Sequence, residues 1–412
     1  MKLSYAEIRK SIQPGYAAFR LRQRLLPAGG PGSKVFPPTF EGGYYCWERR
    51  RLEPDQPSVE CVLLASVADQ ANRQEEALEE EAAGGIPIPM LRVRFDEFPE
   101  IGTVSTLRAP HRVFDAILRD SQLDGEPFFK TELYKSFARS SQRDATALFG
   151  YCPSALLYGA WDSTGSAGGL GNKFARAVTA EIVGFNAEWG HTQGGVRVDP
   201  LGASRRVKIS KPKDKNKVHE WSIVGVETTD KPLSEEQSPS SVNHGNILIS
   251  AKGRVDRVYR SGDALVTERV SLGGGVTIDY ALQTAVLSLA QLRRLRFPIK
   301  GQVSTEADMA ARACLAALGL LGLAAVRETG YALRSRCDLV CDGLAAVERV
   351  ASDGTVESLD LDLPSARQAY SEAVEAARAA DLPWCDAPID LTPQQKLVDL
   401  VRLSRLAERG AE

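Results

Sequence analysis

The sequence predicts an α+β fold, a single elaborated domain over residues 1–412 rather than two clean ones. Three observations lead there. Apolar and amphipathic stretches follow one another in strand–helix–strand order, long polar insertions separate them, and no internal repeat is present. Composition is ordinary for a packed chain, 43% hydrophobic and 25% charged over 412 residues, enough for a sizeable core. Lys plus Arg number 51 against 53 Asp plus Glu, so no basic excess announces a nucleic-acid binder; only the placement of charge can reveal one. Seven cysteines in a chain this long do not make a secreted disulfide framework. The opening MKLSYAEIRKSI lacks the apolar stretch of a signal peptide. The best membrane candidate, Ala313–Val326, has 14 residues, short of the roughly 20 that a span needs. A buried helix and a soluble, cytoplasmic protein are the expectation.

Taken in order, Tyr5 to Leu26 reads as a basic helix, and Gly and Pro then crowd the stretch from Pro27 to Gly43. Ser58–Ala65 is an apolar run of strand length. Ser66 is placed to cap a helix from Val67 to about Ala82, whose second half is the acidic run Glu75–Glu81. Leu91–Phe95 alternates as a strand does. Arg108–Arg119 reads as helical, Ser154–Trp161 as a strand, and Asn172 to about Val183 as a helix behind a glycine-rich break. From Ala203 to Lys217 there are seven basic residues and one acid without hydrophobic period, which predicts a mobile basic loop or hairpin; with the Ser- and Pro-rich stretch to Val242 it forms an insertion over 203–242. Gly273–Gly275 introduces an amphipathic helix from Tyr280 to Arg294. A helix over about Glu306–Val326, a strand over Tyr331–Cys341 and two helices within 364–412 complete the chain.

Several segments carry candidate chemistry. Gly168-Gly169-Leu170-Gly171-Asn172-Lys173 fails the Walker A template, having neither the Gly-Lys pair nor the hydroxyl, and Phe174 stands where a dinucleotide fingerprint needs its third glycine. A glycine turn feeding a helix N-terminus, with Lys173 and Arg176 beside it, fits phosphate contact; it fits a plain structural turn as well. Trp47-Glu48-Arg49-Arg50-Arg51 after Tyr44-Tyr45 interleaves aromatic and basic residues, suiting either base stacking or a surface hairpin. The helix after Ser66 offers Gln70, Asn72 and Arg73 before its acidic half, as an anion-facing side or as solvated surface. Asn243-His244-Gly245-Asn246 is a polar turn able to bond sugar or phosphate, or only itself. Cys337 and Cys341 lack a second ligand pair for zinc and read as buried thiols, so no metal or cofactor is expected. Asp162, beside Ser163 and Thr164, is either a carboxylate for RNA cleavage or a turn residue bonding its own backbone.

Together, the run Cys152–Gly165 continuing into Gly169-Leu170-Gly171-Asn172-Lys173-Phe174-Ala175-Arg176, the turn Val242–Ile247, and Gly274-Gly275-Val276-Thr277-Ile278-Asp279-Tyr280-Ala281-Leu282-Gln283-Thr284 resemble a known family. Asp69-Gln70-Ala71-Asn72-Arg73 and Leu333-Arg334-Ser335-Arg336-Cys337 add to it. They resemble the backbone subunit of type I-G (formerly I-U) CRISPR effector complexes, within the repeat-associated (RAMP) superfamily. The resemblance covers residues 58–341; the basic loop over 203–217 and the C-terminal helices fall outside it.

The resemblance implies a ferredoxin-like, RNA-recognition-motif core with finger, palm and thumb insertions. It implies a non-catalytic subunit that binds CRISPR guide RNA, stacks on copies of itself and presents the guide to target DNA, beside a large subunit and a repeat-processing foot subunit. Gln70, Asn72, Arg73, Trp161, Ser163, Thr164, Gly171, Lys173, Arg176, Asn243, His244, Gly245 and Asn246 are the expected RNA contacts. Arg205, Arg206, Lys208, Lys211 and Lys213 are the expected loop or target-DNA contacts. Varied guides call for contacts to phosphate and sugar rather than base edges. The alternative is a ribonuclease of the same superfamily, cutting RNA with Asp162 or His244.

Overall fold

Pro14 and Gly15 end the first helix early, and that break frees the following residues to enter a sheet. The computed structural model describes residues 2–162, 173–190, 195–213, 219–228, 234, 237–244, 247–249, 254–261, 264–271, 274–343 and 346–410. A short helix, α1 (Tyr5–Ile12), leads into a long strand, β1 (Tyr16–Pro27). Two strands, β2 (Trp47–Arg50) and β3 (Val59–Ala65), precede α2 (Val67–Ala83), and Ser66 caps this helix through Oγ, which accepts from the Asp69 N–H at 3.2 Å. Further on come β4 (Val178–Phe185), β5 (Tyr280–Ser288) and the long α3 (Thr305–Thr329). A hairpin of β6 (Tyr331–Arg334) and β7 (Cys337–Cys341) follows, then a second of β8 (Ala346–Ala351) and β9 (Val356–Asp360), then α4 (Leu363–Ala379).

Along the chain, β1, α2, β4, β5, α3 and β7 make a β-α-β-β-α-β unit. Its strands stand in the order β7-β1-β5-β4, each antiparallel to its neighbour, which is the ferredoxin-like arrangement of an α+β fold. β3 and β2 extend the sheet beyond β4, β6 extends it beyond β7, and β8, itself paired with β9, pairs with the first half of β1, giving nine strands. On β1 the side chains of Phe19, Leu21, Gln23 and Leu25 are buried beneath the helices while Arg22 and Arg24 face outward. α2 and α3 pack side by side on the inner face, and α4 packs on α3. α3 approaches β5 so closely that a Cβ on Gly319 would lie 2.5 Å from Leu287 Cδ1. A larger residue there would force the Leu287 side chain to shift and would crowd Val178 in a closely packed core.

Residues 1–40, 45–188 and 276–397 form one compact unit; residues 41–44, 189–275 and 398–412 form another. The first also holds a smaller sheet in which Leu91–Phe95 runs parallel to Ile389–Pro393 and antiparallel to Gly102–Ser105. In the second, Val207–Ser210 pairs with Ser222–Val226, Gly195–Arg197 with Ile247–Ile249, and Arg254–Ser261 with Ala264–Ser271.

Several sequence expectations are corrected. Tyr5–Leu26 is not one helix: after the break at Pro14 and Gly15, every second residue from Phe19 to Leu25 is buried, as in a strand. The helix expected over Asn172–Val183 is instead a two-residue strand, Lys173–Phe174, followed by β4. Tyr280–Arg294 is β5 followed by a single turn, Leu289–Leu292. Ser154–Tyr158 is helical and wholly buried rather than extended, and Arg108–Arg119 contains only a 3-10 turn and a four-residue helix. Short apolar runs do not separate helix from strand by periodicity alone. Tyr331–Cys341 is a hairpin, not one strand, and Cys341 is exposed whereas Cys337 is buried. α3 has 25 residues and is apolar enough to cross a membrane, but 94% of its most apolar window is buried inside the fold.

Candidate nucleic-acid interface

The first turns of α2 gather the cations. Asn72 points outward, while Arg73 reaches back along the helix, its Nε donating to Asp69 at 2.9 Å. The other end of the same guanidinium donates to the main-chain oxygens of Leu333, at 2.6 Å, and Ala332, at 3.3 Å. Arg73 thereby ties α2 to β6. From β6, Arg334 donates to the Leu64 oxygen at 2.8 Å and to the Phe36 oxygen at 3.4 Å. The turn between β6 and β7 places Arg336 at φ +64°, and its guanidinium lies 3.8 Å from the centre of the Phe36 ring. Arg336 remains exposed, so it offers a cation already held over an aromatic face.

Arg176 reaches α2 from the other part of the chain. It follows Lys173–Phe174, which pairs with Ala160–Trp161, and its Nη1 donates to the Val67 oxygen at 3.4 Å. Partial burial lowers the Arg176 pKa, the neighbouring Arg112 lowers it further, and Glu75 opposes both. Gly159 opens this corner at φ +87°; a Cβ there would meet Arg176 Cγ and the Phe174 oxygen, each at 3.1 Å. No residue but glycine fits that backbone beside that side chain.

Behind the corner lies a buried ion pair. Arg112 is 7% exposed and Glu75 2%. Their contact is a two-pronged fork, Nε and Nη2 of Arg112 each 2.6 Å from a Glu75 oxygen. The remaining Arg112 nitrogen donates to the Gly159 oxygen at 2.9 Å. Three carboxylates of the acidic run are thus taken up, Glu75 by Arg112, Glu79 by Arg108 and Glu81 by Arg367, while Glu76 and Glu80 are exposed. Gln70 also turns inward, where Gln283 Nε2 donates to its Oε1 at 2.9 Å and the Tyr331 hydroxyl donates to Gln283 Oε1 at 2.8 Å. Its side chain holds helix to sheet and does not join the surface.

Of the sequence-selected residues, Asn72, Arg73 and Arg176 thus share the first turns of α2. The strand pairing sets Lys173 opposite Trp161, whose side chain is 47% exposed. Ser163, Thr164, Gly171, Gly245 and Asn246 lie outside the described residues. In the other compact unit, Asn243 ends a 3-10 turn at φ +63°, and the ring of His244 lies 5.5 Å from that of Trp221. There too, Arg205, Arg206, Lys211 and Lys213 are exposed and Lys208 is half-buried, on or beside the Val207–Ser210 hairpin strand. Asp162 is 4% exposed and adds to the upward shift of the Tyr134 hydroxyl, which burial causes first. No group of three metal-ligating side chains occurs among the described residues.

The selection by sequence missed Phe36, Arg334, Arg336, Arg112 and Glu75. Arg334 and Arg336 stand inside the motif Leu333-Arg334-Ser335-Arg336-Cys337, where the polar Ser335–Arg336 pair between apolar positions is the signal of a turn. Nothing in the run Glu75–Glu81 marks which carboxylate is buried.

No curated protein matches the chain. Residues 19–189, the stretch that carries most of β1, α2, the Gly159 corner and β4, match the family model for CRISPR-associated protein GSU0053, and this similarity supports a CRISPR-associated protein.

Proposed function

We propose that the protein is a guide-RNA-binding backbone subunit of a type I-G CRISPR effector complex, without catalytic activity of its own. In this reading it lies in the cytoplasm, stacks on copies of itself along the guide and presents it to target DNA. The large subunit and the repeat-processing foot subunit flank the stack, and a partner supplies the nuclease. The observation that carries the reading is the group of arginines at the start of α2 within a chain similar to a CRISPR-associated protein. Arg176 has, among the described residues, one hydrogen bond for its five donors, and Arg336 is exposed on Phe36. Phosphate oxygens supply what Arg176 lacks, and such contacts do not depend on guide sequence.

The test is expression with and without a guide-RNA gene. RNA of defined length that co-purifies with a larger species on sizing chromatography supports the reading. Arg176→Ala with Arg336→Ala should then release the RNA while leaving a folded protein. Turnover of RNA that is lost on Asp162→Ala or His244→Ala would move the protein to the ribonuclease class.

A further inference from the structure

The Glu75 carboxylate has no contact with solvent to speak of, yet it sits beside two cations of which only Arg112 is its hydrogen-bonded partner. Among the described residues, the titratable and charged groups acting on it are Arg112 from the 3-10 turn, Arg176 from the segment before β4, and the Tyr158 hydroxyl from the buried helix Ser154–Tyr158. On its own helix, Glu79 is taken up by Arg108. With Glu75 ionised the three charged groups sum to one positive charge; with Glu75 protonated they sum to two.

We propose that Glu75 is the positioning and proton-linked residue of the arginine corner: when it loses its charge, the field at Arg176 becomes more positive and RNA phosphate binds more tightly. The inference rests on the RNA-binding reading. Its geometry is the fork to Arg112, the Arg112 bond to the Gly159 oxygen, and the Gly159 wedge against Arg176. Linkage makes the effect reciprocal, so a phosphate arriving at Arg176 favours a proton on Glu75 and binding takes up protons. Burial pushes the Glu75 carboxyl up, Arg112 pulls it down, and the balance lies at about 7, within reach of ordinary buffers. The ordinary carboxylate value would leave the group ionised throughout that range.

The experiment measures affinity for a single-stranded RNA oligonucleotide at pH 6, 7 and 8, at fixed salt. Wild type should bind about tenfold more tightly at the lowest pH than at the highest, the response of one nearby charge removed. Glu75→Gln, which keeps the shape and a bond to Arg112, should show a flat profile at the tight level. Calorimetry in two buffers of different ionisation heat should register proton uptake for wild type near neutrality and none for the variant. Should Glu75→Gln fail to fold, Glu75→Gln with Arg112→Gln removes both buried charges and should likewise give a flat profile. A variant that keeps the wild-type slope, or a wild type without one, overturns the proposal while the RNA reading stands. Arg176→Ala separates the two: if it binds RNA as wild type does, the site assignment itself fails.

Discussion

On the β6–β7 side of α2, Arg73 and Arg334 direct their donors at main-chain oxygens of Leu64, Ala332 and Leu333, at 2.6–3.3 Å. Where the chain runs from Gly159 towards β4, Arg176 has, among the described residues, a single bond of 3.4 Å, and Arg112 is a second guanidinium near it. Both regions bring cations to the same helix turns, and sequence alone gives them equal standing. The difference lies in what satisfies them. An arginine whose fork is filled by the fold gains little from a phosphate, since one set of bonds must break to make another. An arginine held in place but short of acceptors gains charge neutralisation and hydrogen bonds together. On the proposed RNA-binding reading, occupied cations build the platform and under-satisfied ones receive the phosphate.

The sharpest way to break that comparison is to unseat the corner from behind. Arg112→Ala removes the partner of a buried carboxylate, the bond to Gly159 and a packed side chain. The expected loss is about 3 kcal/mol in urea unfolding, far more than for any exposed arginine. A loss below about 1 kcal/mol would show that the pair does not organise the corner.

Acidity tests the same pair more finely. The Glu75 carboxyl is raised from 4.5 to about 7 in the folded chain, chiefly by burial. The unfolded chain therefore releases this proton first as pH rises. Its contribution to stability is complete below 4.5 and is lost as pH climbs through about 7. The unfolding free energy of wild type, taken relative to Glu75→Gln, should fall across that window by up to about 3 kcal/mol. A relative stability that rises over the window would mean that the Arg112 fork outweighs burial.

The same contrast explains what could be read from sequence. The helical layer was legible because its signals are local: Ser66 as a cap, and the long apolar stretch of α3 between charged ends. The sheet was not. β4 and β5 lie in its middle and, apart from Thr179, carry side chains that are buried or half-buried on both faces, so the strand alternation is blurred and a helix pattern matches as well. At the site, Arg73 and Arg176 were visible as charges beside glycine and polar motifs, but satisfaction is a property of tertiary contacts. The oxygens that occupy Arg73 come from Ala332 and Leu333, some 260 positions away along the chain. Burial of Gln70 and Glu75 was hidden for the same reason: on an amphipathic helix, only the fold decides which polar residue the core accepts.

Between the two arginines themselves, Arg73→Ala should cost about 1–2 kcal/mol of stability, because it removes one bond within α2 and two that join α2 to β6. Arg73→Lys should recover little of this, since a single ammonium cannot reproduce the fork.

Arg176→Ala should give the smallest change in stability, within about 0.5 kcal/mol, because it removes one long bond and relieves a guanidinium crowded by Arg112. Its effect belongs to binding. Affinity for single-stranded RNA should fall about tenfold, equivalent to about 1.4 kcal/mol. The slope of log affinity against log salt should also shrink by about 0.7, the share of one phosphate contact on a single strand. A shallower slope is the informative half of this prediction. A variant that loses affinity through misfolding keeps the slope of its remaining competent fraction, whereas one that has lost a phosphate contact does not. If Arg73→Ala reduces the slope and Arg176→Ala leaves it unchanged, the roles of the two arginines are reversed. The phosphate would then displace the main-chain oxygens of β6 rather than fill an empty fork.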